Sequence, residues 1–284
     1  LLTDADCLAE HAEGVLTEDE QKAILWVKPA RSVKSARWAP ADAVLIDEAT
    51  DLIERTHSLG HVVLDEAQDL SPMQYRAVGR RCTTGSATVL GDLAQGTTPW
   101  ATRSWEEALA HLGKGEAVIE ELTAGFRVPT DVITYASRLL PYIAPGLTPV
   151  ASIRENPGFF EIRAAASGTA DVVAACRELL SREGSVGLIA ADARVPELAD
   201  ALTAGGISHL GPGEETTRAT RLTLVPASLA KGLEYDYVVL DEPQAVVDGE
   251  PDERTGLRRL YVCLTRAVSG LLVTHATTLP PQLA

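Results

Sequence analysis

The chain has 284 residues, of which 45% are hydrophobic and 23% charged, the composition of an ordinary globular protein with one or two domains. Its formal net charge of −15 argues against a protein whose main task is to grip nucleic-acid phosphates, because that affinity comes chiefly from Lys and Arg. Four isolated cysteines favour a reducing cytoplasm over a disulfide framework or a zinc site. The sequence contains neither an apolar run long enough to span a membrane nor a signal peptide, so we expect a cytoplasmic protein without a membrane partner.

Helix-like and strand-like segments alternate along the chain. In the first part the spacing predicts helices at Glu18–Trp26, Ala41–Arg55, Pro72–Arg80 and Trp105–Leu112, and strands at Val62–Leu64 and Ala87–Leu90. In the second part it predicts strands at Val118–Leu122, Phe159–Arg163, Val186–Ala190, Leu222–Val225, Tyr237–Asp241 and Leu271–Thr274. Helices are predicted there at Thr130–Leu140, Ala170–Arg182, Val195–Ala204 and Thr255–Ala267, with a Pro/Gly-rich link at Pro141–Pro149. The alternation predicts an α/β fold with parallel sheets and helices on both faces, divided near Lys114, and we find no internal repeat.

The most informative segment is an apolar strand that ends in two adjacent carboxylates, Asp65 and Glu66. In enzymes that cleave phosphates, the first carboxylate of such a pair can hold Mg²⁺ while the second orients the attacking water. Acidic residues also end strands simply because they are solvated there. An earlier pair, Asp47 and Glu48, lies where apolar residues repeat at helical spacing, and we interpret it as part of an amphipathic helix.

Four further blocks follow the acidic pair in a fixed order. They are Gly91–Gln95 with Trp100 behind it, Leu122–Arg127, Ala230–Tyr235 and Arg258–Ala267. In order and spacing, the five blocks resemble the motor core of superfamily 1 helicases of the UvrD/Rep type. The resemblance runs from about Gly60 to Ala267. It implies a P-loop NTPase helicase core of two RecA-like domains, with residues 1–114 as the remainder of an incomplete first domain and 115–284 as the second.

The resemblance also implies a site for ATP and Mg²⁺ in the cleft between these two domains. On the wall formed by the first domain, it implies that Asp65 holds the magnesium ion. Glu66 would then be the base that activates water, and Gln95 the sensor of the terminal phosphate. These three roles together are those of an enzyme that hydrolyses a bound nucleotide.

On the opposite wall, the resemblance implies that Arg127 and Arg266 are two arginine fingers. Such residues stabilise the negative charge that develops on a phosphoryl group as it is transferred. Glu234 would contact the ribose, and Lys231 and Gly232 from the same block would also take part in nucleotide binding.

Within the superfamily, Leu90–Trp100 and Val225–Glu234 are most similar to the HelD-type motors, ATPases that bind RNA polymerase and release it from nucleic acid. Ser228 stands where DNA helicases have a His that touches the single strand. Trp100 occupies the base-stacking position. It could contact single-stranded nucleic acid there, and the alternative interpretation is a buried core tryptophan. We expect a transcription-associated motor that acts on RNA polymerase; the alternatives are a 3′–5′ DNA helicase in repair and a non-catalytic interaction module.

Two features of such motors are missing from the sequence. It contains no Gly-x-x-x-x-Gly-Lys-Ser/Thr loop, which an ATPase of this type needs to bind phosphates. We therefore expect the carboxyl-terminal part of a longer protein, active as an ATPase at full length and inactive as this segment alone. The stretch between Arg127 and Lys231 is also too short to hold the large duplex-gripping insertion of UvrD-like helicases.

One basic stretch departs from the acidic balance of the chain. Between Gln21 and Ala41 there are five basic residues, no acidic ones and two tryptophans, Trp26 and Trp38. Basic residues interleaved with aromatic ones can bind single strands. A solvated loop or a protein-contact surface is the alternative interpretation.

Overall fold

The computed structural model describes residues 2–54, 57–154, 158–212, 214 and 220–284. The chain forms two compact units, Leu1–Thr56 and His57–Ala284. Every residue that the sequence assigns to the site lies in the second unit. The division near Lys114 falls inside that unit, so the assignment of 1–114 and 115–284 to two RecA-like domains stays a prediction. None of the described helices is long and apolar enough to cross a membrane.

The first unit is helical. It contains α1 (Ala5–Ala12), α2 (Glu18–Ile24) and α3 (Pro40–Ile53). Helix α2 begins at Thr17, which exchanges hydrogen bonds with Glu20 in a capping box and so satisfies the free amides of the first turn. The sequence pattern indicates α2 and α3 but does not indicate α1.

Helix α3 confirms that the early acidic pair Asp47 and Glu48 belongs to a helix rather than to a strand end. The predicted end of this helix, Arg55, lies outside the described residues. In the basic stretch, the rings of Trp26 and Trp38 meet edge to face with their centroids 5.4 Å apart. The two tryptophans therefore contact each other, which holds the ends of the stretch together.

The second unit begins with a small parallel sheet of β1 (His61–Leu64) and β2 (Ser86–Val89). Helices α4 (Pro72–Arg81) and α5 (Trp105–Leu112) pack against each other beside it. They share one apolar core, which comprises Ala67, Tyr75, Ala108, Leu109 and Leu112. All four elements confirm the sequence-based prediction to within one residue at each end.

The larger sheet has five parallel strands in the order β5, β9, β8, β6, β7. The strands are β5 (Phe159–Ala164), β6 (Val186–Ala190), β7 (Leu222–Pro226), β8 (Tyr235–Asp241) and β9 (Ala267–His275). The helices of this part are α6 (Thr130–Ala136), α7 (Leu140–Ile143), α8 (Thr169–Leu180), α9 (Val195–Ala204), α10 (Pro243–Asp248) and α11 (Glu253–Leu264).

Both faces of this sheet are buried. Along β8, Val238 and Leu240 belong to one apolar core while Val239 belongs to another, because successive side chains of a strand point to opposite faces. The first core contains residues of α6, α7 and α11, and the second contains residues of α8 and α9. The predicted α/β fold, with a parallel sheet and helices on both of its faces, is confirmed.

Val118–Leu122 is not a strand, which corrects the sequence-based prediction. The short strand of this region is instead β3 (Ala124–Gly125), which pairs in parallel with β4 (Ala151–Ser152). Val118 is 90% exposed. Its apolar run has strand propensity, yet propensity produces a strand only where a neighbouring strand is available to pair.

The helices predicted at Thr130–Leu140 and Thr255–Ala267 also end earlier than expected. The helix predicted over Thr130–Leu140 is divided by a 3-10 turn at Ser137–Leu139, and α7 then occupies the start of the predicted link. Pro141 is tolerated there because it lies in the first turn of α7, where its missing N–H is not needed. Helix α11 ends at Leu264, so that Ala267 already belongs to β9.

One five-residue sequence occurs twice in the chain, each time at the end of a strand. The five residues Val62–Glu66 recur as Val238–Glu242, and each copy ends a parallel strand. Glu66 and Glu242 have φ values of 51° and 46° and are the described non-glycine residues with positive φ. The same local sequence therefore adopts the same uncommon backbone turn twice.

Gly256 sets how closely α11 approaches α10. A Cβ atom at this position would lie 2.4 Å from the carbonyl oxygen of Val247 and 2.8 Å from its Cα. We expect Gly256→Ala to lower the free energy of unfolding by about 2 kcal/mol or more, because backbone atoms must shift despite the better helix propensity of Ala. Chemical denaturation of this chain measures the effect. Gly115→Ala is the control, since its Cβ would meet no atom within 4 Å; equal denaturation midpoints for the two variants would contradict the prediction.

Candidate active site

The turn after β1 places the first acidic pair at the carboxyl end of the small sheet. Asp65 is exposed, and its carboxylate accepts a hydrogen bond of 2.8 Å from the amide of Glu66. Glu66 adopts the left-handed conformation and leads into a 3-10 turn at Ala67–Asp69. The buried Ala67 fixes this turn, because its amide donates to the carbonyl of Leu90 over 3.0 Å. The carboxylate of Glu66 is thereby held outside the end of the strand, where a ligand can reach it.

Gln68 connects this turn to the segment after β2. Its side chain is fully buried, its Nε2 donates to Glu66 Oε2 over 2.7 Å, and its Oε1 accepts from the amide of Asp92 over 3.0 Å. Gly91 makes room for this contact, because a Cβ there would lie 2.2 Å from Gln68 Oε1. The sequence motif contains Gln68, but its spacing alone does not reveal this structural role.

Gln95 is held at both ends of its side-chain amide. Nε2 donates to Asp92 Oδ2 over 2.9 Å, and Oε1 accepts from Arg266 Nη2 over 3.1 Å. Asp92 also caps the 3-10 turn Leu93–Gln95 by accepting from the amide of Ala94 over 2.8 Å. Asp92 is a site residue that the sequence does not single out; an Asp three positions before the Gln, at the start of a turn, is the signal that could have found it.

Arg266 is a buried cation whose hydrogen bonds go to neutral acceptors. Its Nε donates to the carbonyl of Val262 over 2.9 Å, and Nη2 donates to Gln95 and to the hydroxyl of Thr265. Within the described part of the chain it forms no ion pair. Burial, followed by repulsion from Arg127, lowers the pKa of Arg266 below its ordinary value. Two guanidinium groups that repel each other at a partly desolvated position favour the binding of an anion between them.

Arg127 faces the same place from the turn that follows β3. Its Nη2 lies 2.9 Å from Glu234 Oε1, and both side chains are about half exposed. A cavity of about 150 Å³ is lined by Gln95, Arg127 and Arg266, among other residues. The structure thus brings together four of the sequence-predicted residues, while their catalytic and binding roles stay predictions.

Lys231 reaches the acidic turn from the loop before β8. Its Nζ lies 3.0 Å from Glu66 Oε2, contacts the carboxylate of Asp69, and donates to the carbonyl of Gln95 over 3.0 Å. Gly232 follows with a φ of 78°, a conformation that favours glycine and turns the chain away from this contact. Lys231 therefore joins the acidic turn to the loop that carries Glu234.

Trp100 and Ser228 lie apart from the cavity. Trp100 is 52% exposed, and its Nε1 donates to the carbonyl of Asp69 over 2.8 Å. The alternative of a buried core tryptophan is therefore wrong. Ser228 donates to the carboxylate of Asp192 through both its amide, over 3.1 Å, and its hydroxyl, and its own carbonyl accepts from Arg259 over 3.3 Å.

The two carboxylates at the acidic turn, those of Asp65 and Glu66, are oxygen donors of the kind that could hold a magnesium ion together with a nucleotide. Mg²⁺ prefers oxygen ligands and is commonly held by one or two carboxylates together with substrate phosphates and water. Asp65 presents an exposed carboxylate at the carboxyl end of a parallel strand, beside Glu66. This is the edge of a parallel sheet at which ligands of α/β proteins bind.

No family model matches the sequence, and the comparison with curated proteins finds no match either. Among solved structures, the chain is similar to the C-terminal domain of a possible DNA helicase from Lactobacillus plantarum WCFS1, with a TM-score of 0.42 and 23% identity over 56% of this chain and 92% of that one. It is also similar to the arterivirus nonstructural protein 10, a helicase in complex with DNA, with a TM-score of 0.39 and 16% identity over 78% of this chain. The match spans 41% of the arterivirus chain. Both TM-scores lie below 0.5 and both identities below 25%, so neither similarity decides what this chain does.

Proposed function

We propose that this chain is part of an ATP-hydrolysing motor of the superfamily 1 helicase type. The observation that carries the proposal is the meeting of Arg127, Arg266 and Gln95 around one cavity. Glu66 belongs to the same arrangement through Lys231, which contacts both its carboxylate and the carbonyl of Gln95. A cationic cavity beside a carboxylate is the arrangement that phosphoryl transfer from ATP requires, since this chemistry depends on positioning and on charge stabilisation.

In the proposed mechanism each of these side chains has one task. Glu66 accepts a proton from the attacking water and orients it toward the terminal phosphate. Arg266 and Arg127 stabilise the charge on the phosphoryl oxygens, and Arg127 exchanges its contact with Glu234 for the phosphate when ATP binds. Gln95, fixed by Asp92 and Arg266, hydrogen-bonds the phosphate or the water. Magnesium held by Asp65 would neutralise phosphate charge.

We infer that the partner of the motor is RNA polymerase, which it releases from nucleic acid in the cytoplasm. The net charge of −15 supports a partner other than duplex DNA. The hydroxyl of Ser228 is engaged with Asp192, which supports a position that does not contact a single strand. The sequence similarity to HelD-type motors supports the same partner.

The second candidate is a DNA helicase or translocase, and the exposure of Trp100 favours it. An exposed indole at the base-stacking position can bind single strands, because base stacking on an aromatic ring needs no particular sequence. One protein can contact single-stranded nucleic acid and also bind RNA polymerase. The two candidates therefore differ in which of these two interactions is the main one.

We expect the full-length product of the gene to co-purify with RNA polymerase and to separate DNA strands poorly at physiological salt. Weak electrostatic binding to DNA fades as salt screens the phosphates. Gel filtration with purified polymerase, and strand separation at low and physiological salt, measure the two activities. Robust strand separation at physiological salt without polymerase association would support the repair-helicase alternative instead.

A further inference from the structure

The contacts of Lys231 differ from those of a residue whose ammonium group faces a nucleotide. Its side chain is only 16% exposed, and the ammonium lies between the carboxylates of Glu66 and Asp69 and the carbonyl of Gln95. These three acceptors match the three N–H donors of a lysine. All three N–H donors of the ammonium group therefore have acceptors within the protein, and these acceptors come from two separate turns.

Asp69 extends this contact toward the loop that carries Trp100. Its Oδ1 accepts hydrogen bonds from the amides of Thr97, over 2.9 Å, and Thr98, over 3.2 Å. Its backbone carbonyl accepts from Trp100 Nε1 over 2.8 Å. One residue thus holds the Thr97–Trp100 loop through its carboxylate and its backbone at the same time.

Lys231 consequently has two carboxylates that compete for one positive charge. Glu66 is half exposed, while Asp69 is mostly buried and anchors the loop. A displacement of the loop would move Asp69 and change how strongly Lys231 holds Glu66. The charge interaction is strong here because the ammonium is largely removed from water.

We propose that Lys231 is a positioning residue, which holds Glu66 in place and couples it to the Thr97–Trp100 loop. A single-stranded nucleic acid that contacts Trp100 would then change the rate of ATP turnover through Asp69 and Lys231. The inference rests on the proposed function. It assigns the Lys231 side chain to positioning Glu66 instead of to the nucleotide contact that the sequence resemblance implies.

The first test measures steady-state ATP hydrolysis of the full-length protein with and without single-stranded poly(dT). We expect Lys231→Met to lower kcat about tenfold, to leave KM within about twofold, and to abolish the effect of poly(dT). Lys231→Arg should retain part of that effect, because it keeps the charge. A higher KM with an unchanged kcat would overturn the inference, since it would indicate that Lys231 binds nucleotide.

Lys114→Met is the matched control. Lys114 is also partly buried, and its Nζ donates to a backbone carbonyl, that of Gly85, over 2.8 Å. The control removes the same charge from a different place. A loss of poly(dT) response in this variant equal to that in Lys231→Met would overturn the inference, because the effect would then follow from charge alone.

The second test uses hydrogen exchange on this chain and does not depend on activity. Lys231→Met should release Asp69 and speed exchange of the Thr97 and Thr98 amides, while the buried strand Val186–Ala190 reports whether the fold is intact. Should that strand lose protection, Lys231→Gln provides a milder substitution for the same comparison. Unchanged exchange at both threonines in a folded variant would overturn the inference. A wild-type protein that does not hydrolyse ATP would contradict the proposed function, whereas this exchange result would still decide the coupling of Lys231 to the loop.

Discussion

Glu66→Gln in the full-length protein should leave ATP binding nearly intact while turnover falls by about 10² to 10⁴-fold, the usual contribution of a general base. Glutamine has the same size, and its carbonyl oxygen can still accept the hydrogen bond from Gln68 Nε2. It lacks the negative charge that draws a proton from water. Nucleotide affinity measured beside steady-state hydrolysis separates binding from chemistry.

Glu178→Gln is the matched control for this substitution. Glu178 is 41% exposed and pairs with Arg163 at 3.0 Å, much as the 51% exposed Glu66 pairs with Lys231. The control should leave turnover unchanged, because Glu178 lies on α8, away from the cavity. Near-normal turnover in Glu66→Gln would show that another group is the base.

Arg266→Lys should reduce turnover by a factor on the order of 10³ or more, the range measured for arginine fingers. Lysine keeps the positive charge but cannot reproduce the planar fork that contacts Gln95 and, in the proposed mechanism, the transferred phosphoryl group at the same time. Single-turnover hydrolysis, with a thermal melt of each variant, measures the loss and checks that the variant folds.

Arg258→Lys serves as the control for buried arginine. Arg258 is also buried, and it donates to the carbonyls of Gly96, over 3.1 Å, and Ile143. We expect a stability loss similar to that of Arg266→Lys but a much smaller effect on turnover. Equal losses of turnover in the two variants would indicate that Arg266 acts through packing rather than through charge stabilisation.

The sequence predicted the elements whose signals are local. The fully buried β6 was predicted over its whole length, because a short apolar run bounded by turn residues indicates a buried strand. The contact between Lys231 and Asp69 could not be predicted in this way, since it joins residues 162 positions apart. The strand predicted at Val118–Leu122 was wrong for a related reason. The composition of this segment favours a strand, but composition does not supply a neighbouring strand to pair with.

The two copies of the five-residue sequence show that local sequence alone does not determine the chemistry of a carboxylate. Both copies place a glutamate in the left-handed conformation, so the backbone is set locally. Asp241 of the second copy is buried and bonds Arg194, and burial raises its pKa despite that partner. Asp65 of the first copy is exposed. The surroundings, and not the pentapeptide, make one copy a candidate site and the other a structural ion pair.

The two-stranded sheet affects how the chain associates with itself in solution. Within the described residues β1 and β2 pair only with each other, and Val63 of β1 is 61% exposed. Parallel strands are normally buried on both faces, and open strand edges are templates for association between molecules. The strong negative charge opposes such association at low ionic strength and loses this effect as salt is added. The isolated chain should therefore form oligomers that grow with protein and salt concentration, and light scattering across a salt series will set the conditions under which its biochemistry can be measured.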